Sequence, residues 1–97
     1  MSEPVAEAAA VKRILAIANK RGLHARAAAK FVRTAGLFDA AIKVSFKGQS
    51  VSGFSIMGLM MLAAGIGSSI EVTCSGSQKD EAMTAISALV DGKFGED

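Results

Sequence analysis

From Val11 to Ala18 apolar side chains fall on both faces of an extended segment. Leu15 and Ile17 share one face; Ile14, Ala16 and Ala18 share the other, which predicts a strand. Asn19 to Gly22 is polar and ends in glycine, so it predicts a flexible loop. The period then changes. Ala28, Phe31, Val32 and Ala35 lie on one helical face, with Arg26, Lys30 and Arg33 interspersed. A helix is predicted over Ala25 to Ala35, ended by Gly36. Ile42, Val44 and Phe46 alternate with Lys43, Ser45 and Lys47, the pattern of a half-buried strand. Lys47-Gly48 reads as a hairpin turn into a short return strand over Gln49 to Ser52. Ser55 to Leu62 predicts a short helix with Ser55 as its N-cap. Gly65 and Gly67 break the chain before Ile70, Val72 and Cys74 alternate with Glu71, Thr73 and Ser75 in another strand. Ser77-Gln78-Lys79-Asp80 has the form of a capping box. Ala82, Met83, Ile86, Leu89 and Val90 form the apolar stripe of the helix that follows, and Gly92 stops it.

The order is βαββαβα. Hairpins and helical crossovers at these spacings predict an α+β fold, an open-faced β-sandwich. It has a four-stranded antiparallel sheet with three helices on one face. Residues 1–10 are expected as a flexible N-terminal tail and 11–97 as a single domain. There are no internal repeats and no linker long enough to divide the chain.

Composition narrows the function more than the fold. The chain has 97 residues, about half of them apolar, yet its five aromatics are all Phe. Ala and Met therefore supply much of the packing of a thin core. The formal charge of +2 is too small for a nucleic-acid footprint. The one aromatic in a predicted strand, Phe46, lies on the apolar face, which argues against an RNA-binding sheet. Cys74 is the only cysteine, so no intrachain disulfide forms, and its mid-strand place reads as core. Met1 to Ala10 has no basic start of a secretory signal. The longest apolar run, Ile56 to Ile66, is interrupted by glycines and too short to span a bilayer. The expectation is a cytoplasmic protein without membrane insertion.

The candidate chemistry sits at His24, the only histidine. It stands where the first helix begins. A helix N-terminus presents unpaired N–H groups and the positive end of the dipole, which together hold anions. A phosphoryl group on His24 would meet the N–H groups of Ala25 and Arg26, and the Arg26 guanidinium adds a donor fork matched to phosphate oxygens. Imidazole is a competent nucleophile near neutral pH. The bland reading, a histidine that simply caps a helix, stands beside this one on the residues alone. A metal site from this chain would need several His or Cys ligands, and none is expected. No cofactor is expected either. Paired carboxylates and a nucleotide loop are absent near His24, which argues against a self-contained enzyme.

The run Gly22-Leu23-His24-Ala25-Arg26-Ala27-Ala28 resembles the active-site signature of the HPr family of the bacterial phosphotransferase system. Ser55-Ile56-Met57-Gly58-Leu59-Met60-Met61-Leu62 resembles that family's second signature. The resemblance spans roughly Val11 to Val90, and two separate motifs in one short chain make it specific. It implies a phosphocarrier that takes a phosphoryl group on His24 from enzyme I and passes it to an enzyme II A-type protein. Arg26 carries over as the phosphate-stabilising arginine. Ser55 carries over as the site that an HPr kinase/phosphorylase uses in some bacteria. Phosphate there would add about −1.5 to −2 charges within the docking face; the plain alternative is an N-cap. The family's sugar branch usually has proline after the arginine. Ala27 and the Met-rich second motif look more like the nitrogen-related branch.

By family position the partner-docking residues are Ala25, Ala29 and Arg33 on the first helix and Ile56, Met57, Met60 and Met61 on the second. Met57 and Met60 are expected as the most exposed of the second set. Flexible, polarizable methionine suits a surface that serves several partners. From periodicity alone the methionines read equally as core. A monomer with a small, fast-exchanging interface is expected. A regulator acting through Ser55 alone is the remaining alternative, opposed by the pairing of His24 with Arg26.

Overall fold

The computed structural model describes residues 9–96. The tail expected over residues 1–10 lies, up to residue 8, outside the described residues. The chain runs β1 (Val11–Ala16), α1 (Ala25–Ala35), β2 (Ala41–Phe46), β3 (Gln49–Ser52), α2 (Ile56–Met61), β4 (Ser69–Ser75) and α3 (Lys79–Asp91). A 3-10 turn at Lys93–Gly95 follows, which the sequence pattern did not announce.

The sheet has the order β1-β4-β2-β3 and every neighbouring pair is antiparallel. Register sets which side chains share a face. Leu15 stands opposite Ile70, Val44 opposite Val72, and Ile42 opposite Cys74. These residues are buried against Phe31 of α1, Leu59 of α2 and Ile86 of α3, so the helices cover one face. Arg13 lies on that same face, opposite Val72. It sits on an edge strand, and its Nη1 donates to Ser87 Oγ of α3 at 2.8 Å.

The other face is open, with Lys12, Ile14, Lys43 and Ser45 along it. Thr73 is the exception. It occupies the central strand in register with Lys12 on one side and Lys43 on the other, and is only 6% exposed. Its Oγ1 has no hydrogen-bond partner. A buried hydroxyl without a partner costs stability, and valine fills the same shape without that cost. Thr73→Val is expected to raise the unfolding free energy by about 1 kcal/mol, read from urea denaturation. A destabilised variant would mean that the hydroxyl is satisfied in solution.

Two local expectations change. Val32 is half-buried, and Ala27 takes its place on the buried face of α1. The capping box does not form. α3 begins at Lys79, and its N-cap Gln78 makes no side-chain cap. Ser77 Oγ instead donates to Asp39 Oδ2 at 2.6 Å, and Asp39 N–H donates to Gln78 Oε1 at 2.8 Å. These side chains pin the loop entering β2, whose own polar groups would otherwise lack partners. Asp80 and Glu81 complement the dipole of α3 in their place.

Candidate functional site

The loop before α1 is fixed by its own polar groups rather than flexible. Asn19 is fully buried. Its Nδ2 donates to Gly22 O at 2.9 Å, and Gly22 N–H donates to Asn19 O at 3.2 Å. Gly22 has φ +62°, the left-handed region that glycine enters at least cost. It also passes so near the loop after α2 that a β-carbon there would stand 2.4 Å from Ala64 O. Leu23 N–H then donates to Ala64 O at 3.0 Å, and the buried Leu23 side chain locks the turn.

These constraints deliver His24 to the N-cap position of α1, with extended backbone at φ −74° and ψ 179°. Its imidazole makes no capping bond, so the bland reading of His24 as a helix cap does not hold. The first intrahelical bond runs from Ala28 N–H to His24 O, at 2.9 Å. The N–H groups of Ala25, Arg26 and Ala27 therefore have no helical acceptor. No acidic residue stands in this first turn. Arg26 is exposed, like Arg21 and Arg33, and no hydrogen bond or ion pair engages its guanidinium among the described residues.

The imidazole turns instead to the end of the chain. His24 Nε2 lies 2.6 Å from Glu96 Oε2, with the two side chains 16% and 13% exposed. The other carboxylate oxygen, Oε1, accepts from Asn19 Nδ2 at 3.2 Å. Burial works to raise the Glu96 carboxyl. Hydrogen bonds from His24 and Asn19, and the charges of His24 and Lys30, outweigh it and hold the group below its ordinary value. Glu96 is thus ionised at neutral pH and only accepts, so Nε2 carries the proton. His24 Nδ1 has no hydrogen-bond partner among the described residues.

A lowered carboxylate has a direct consequence for stability. The unfolded chain binds the proton more readily, so the stabilisation from Glu96 is fully present above its ordinary value of 4.5 and lost as pH falls through the lower folded value. Thermal unfolding of the natural chain and of Glu96→Gln is expected to differ at about pH 6, with the gap closing as pH falls below 4.5. Melting curves separated by the same gap throughout that range would show that the ion pair contributes nothing.

Sequence reasoning missed Glu96 and Asn19, and placed Lys30 only in a basic rim around His24 with Arg21, Arg26 and Arg33. Asn19 looked like an ordinary loop residue, and Glu96 lies beyond the last predicted element. The contact spans 72 positions, so no local signal announces it.

The second motif is placed beside the first. α1 and α2 pack together, and Arg21, Leu23, His24, Met60, Ala63, Ala64 and Gly65 line one shallow depression. Leu59 is the buried residue of α2; Met57 and Met61 are the most exposed, at 69% and 71%. Met60, expected with Met57 at the outside, is also exposed though less so, at 40%, as is Ile56 at 41%. Met61 opens onto a different hollow, formed with Gln49, Ser50 and Val51 of β3. Ala25 is exposed and Ala29 half-buried. Ser55 caps α2 as expected: its Oγ accepts from Gly58 N–H at 2.9 Å. Among the described residues no group of three or more His, Cys, Asp or Glu is placed to hold a metal. None of the helices among the described residues is long and apolar enough to cross a membrane.

Fold and site define a class: small open-faced α+β sandwiches whose first helix opens on a single histidine under free N–H groups. The family model described as PTS HPr component phosphorylation site matches residues 11–91. The phosphocarrier protein HPr of Cupriavidus necator is 49% identical over 86 residues, which make up 89% of this chain and 97% of that one. The phosphocarrier protein NPr of Shewanella violacea is 44% identical over 86 residues, 89% of this chain and 94% of the relative. The crystal structure of HPr-C-His from Thermoanaerobacter tengcongensis superposes with a TM-score of 0.86 at 39% identity. It covers 90% of this chain and 98% of that structure. The chain belongs to the HPr family of phosphocarriers of the phosphotransferase system.

Proposed function

We propose that His24 Nδ1 accepts a phosphoryl group from phosphorylated enzyme I and hands it to an enzyme II A-type protein. The observation that carries this reading is the state of the ring. Nε2 is occupied by Glu96, while Nδ1 is unengaged among the described residues at the start of α1. Attack by Nδ1 forms the N–P bond as the donor's bond to phosphorus breaks. Phosphate oxygens would be met by the N–H groups of Ala25, Arg26 and Ala27 and by the Arg26 guanidinium. The chain acts as a co-substrate of its partners and not as a catalyst, since it supplies no phosphoryl donor of its own.

Ala25, Ala29, Arg33, Ile56, Met57, Met60 and Met61 are proposed as the docking residues. Exposed methionine beside a basic rim suits weak, quickly exchanged partners. Ser55 is proposed as a regulatory phosphorylation site for an HPr kinase/phosphorylase. Its Oγ already accepts from Gly58 N–H, so a phosphate at that position would gain the same donor. The cellular setting of this reading is the cytoplasm, with the chain acting as a single 11–97 domain and monomer.

The full chain is incubated with enzyme I and labelled phosphoenolpyruvate, using enzyme I of the sugar and of the nitrogen branch in turn. Acid-labile, alkali-stable label is the expected result. Acid-stable label, or no label from either enzyme, sinks the carrier reading and leaves Ser55 as the working site.

A further inference from the structure

We propose that Glu96 is a positioning residue for phosphoryl transfer at His24. It fixes the imidazole tautomer that presents Nδ1 as the nucleophile, and it pairs with the imidazolium formed when Nδ1 takes the group. This rests on the carrier reading above and deepens it.

The carboxylate is held at both oxygens, Oε2 against His24 Nε2 at 2.6 Å and Oε1 against Asn19 Nδ2 at 3.2 Å. Its backbone is held as firmly. Lys93, Phe94 and Gly95 all have positive φ, at 59°, 56° and 73°. Consecutive left-handed residues persist only where the surroundings enforce them. Here the Phe94 side chain is fully buried, and Lys30 Nζ donates to Phe94 O at 2.6 Å. The end of the chain is thus a hook, anchored by one ring and one ammonium, that carries a carboxylate to the imidazole.

The chemistry explains why a carboxylate is useful at that place. When Nδ1 attacks phosphorus, no proton has to leave the ring. The lone pair becomes the N–P bond, the donor departs with its own bonding pair, and the ring acquires a positive charge. Glu96 needs to take nothing. It holds the Nε2 proton and faces the charge as it forms, the role a buried carboxylate plays toward histidine in a catalytic triad. On hand-off the N–P pair returns to Nδ1, the phosphoryl group passes to the acceptor's nucleophile, and the ring is again the neutral Nε2–H tautomer. Among the described residues the other charged groups placed here are cations: Arg21 in the same depression, and Lys30, whose charge acts on Glu96. α2 contributes only Met60 to the depression. Among the described residues Glu96 is therefore the one anion placed to favour the charged ring.

The test uses the full chain as the natural protein, Glu96→Gln and Glu96→Ala, each checked for a cooperative melting transition well above the assay temperature at neutral pH. Nitrogen-15 spectra of the imidazole are expected to show the Nε2–H tautomer in the natural chain and in Glu96→Gln, which keeps an acceptor. In Glu96→Ala they are expected to move toward the mixture seen for free histidine. Labelling by phosphorylated enzyme I is expected to lose about tenfold in kcat in Glu96→Ala with KM unchanged. That is the low end for a hydrogen bond to a charged group, since the pair keeps some contact with water. Glu96→Gln is expected between the two. Spectra that do not move in folded Glu96→Ala, or labelling at the natural rate, overturn the proposal. A natural chain that takes no label from any donor overturns the carrier reading instead, and the spectra distinguish that failure from this one.

Discussion

His24→Ala is expected to take up no phosphoryl label under conditions chosen to label the natural chain, a fall of at least about a thousandfold. The size of the effect follows from the absence of any substitute. His24 is the only histidine, so no second imidazole can take over. The Cys74 thiol is fully buried, and burial pushes its pKa up, away from the reactive thiolate. The Ser55 hydroxyl is occupied as the cap of α2 and has no base beside it among the described residues. The stability cost is small by comparison, because the imidazole contributes one part-exposed pair and no helix cap. Arg26→Ala is expected to keep the label site and slow the transfer by about a hundredfold, the scale of one lost charge-stabilising donor. Arg26→Lys should recover part of this, since it restores the charge without the planar fork. A time course with labelled donor measures all three. Acid-labile label on His24→Ala would place the acceptor elsewhere and undo the reading of the site.

Gly22→Ala is expected to lose about 3 kcal/mol of stability, measured by urea denaturation at neutral pH, and to slow transfer with it. Two costs combine. The residue has φ +62°, where a β-carbon costs about 1 kcal/mol before it touches anything. The added carbon then meets Ala64 O at 2.4 Å and Gly65 Cα at 2.8 Å. Both are backbone atoms, so no rotamer change relieves the contact. The loop must separate from the segment after α2, which breaks the Leu23 N–H to Ala64 O bond and moves His24 away from Met60 and Glu96. Gly48→Ala is the control. Gly48 has φ +81° and open space where its β-carbon would go. It carries the conformational cost alone, about 1 kcal/mol. Equal losses at the two positions would show that close approach at Gly22 is not what makes glycine necessary there.

The same comparison explains what was legible beforehand. Periodicity located the four strands and three helices because which face is buried is written in steps of two or of three to four residues. Gly36 and Ser55 end and begin helices where expected, since capping is settled within a few positions. His24 with Arg26, and the Ser55 motif, were legible for a related reason: each is a short run whose chemistry depends on its immediate neighbours. The capping box at Ser77 failed because its side chains found better partners on Asp39, which is 38 positions away from Ser77. Ala27 is buried where periodicity favoured Val32, which packs half-buried against the edge of the core.

By itself, then, the sequence determined the order of elements, the buried faces and the serine cap, and it singled out His24 with Arg26 as the candidate site. Only the tertiary structure decided which ring nitrogen is free, which methionines face the histidine and why the loop before α1 is rigid. Each of those depends on Asn19, Lys30, Ala64 or Glu96 arriving from a distant part of the chain. Burial and hydrogen bonding between remote segments leave no periodic trace in one dimension, because they are selected by the packing of the sheet and helices and not by the spacing of neighbours.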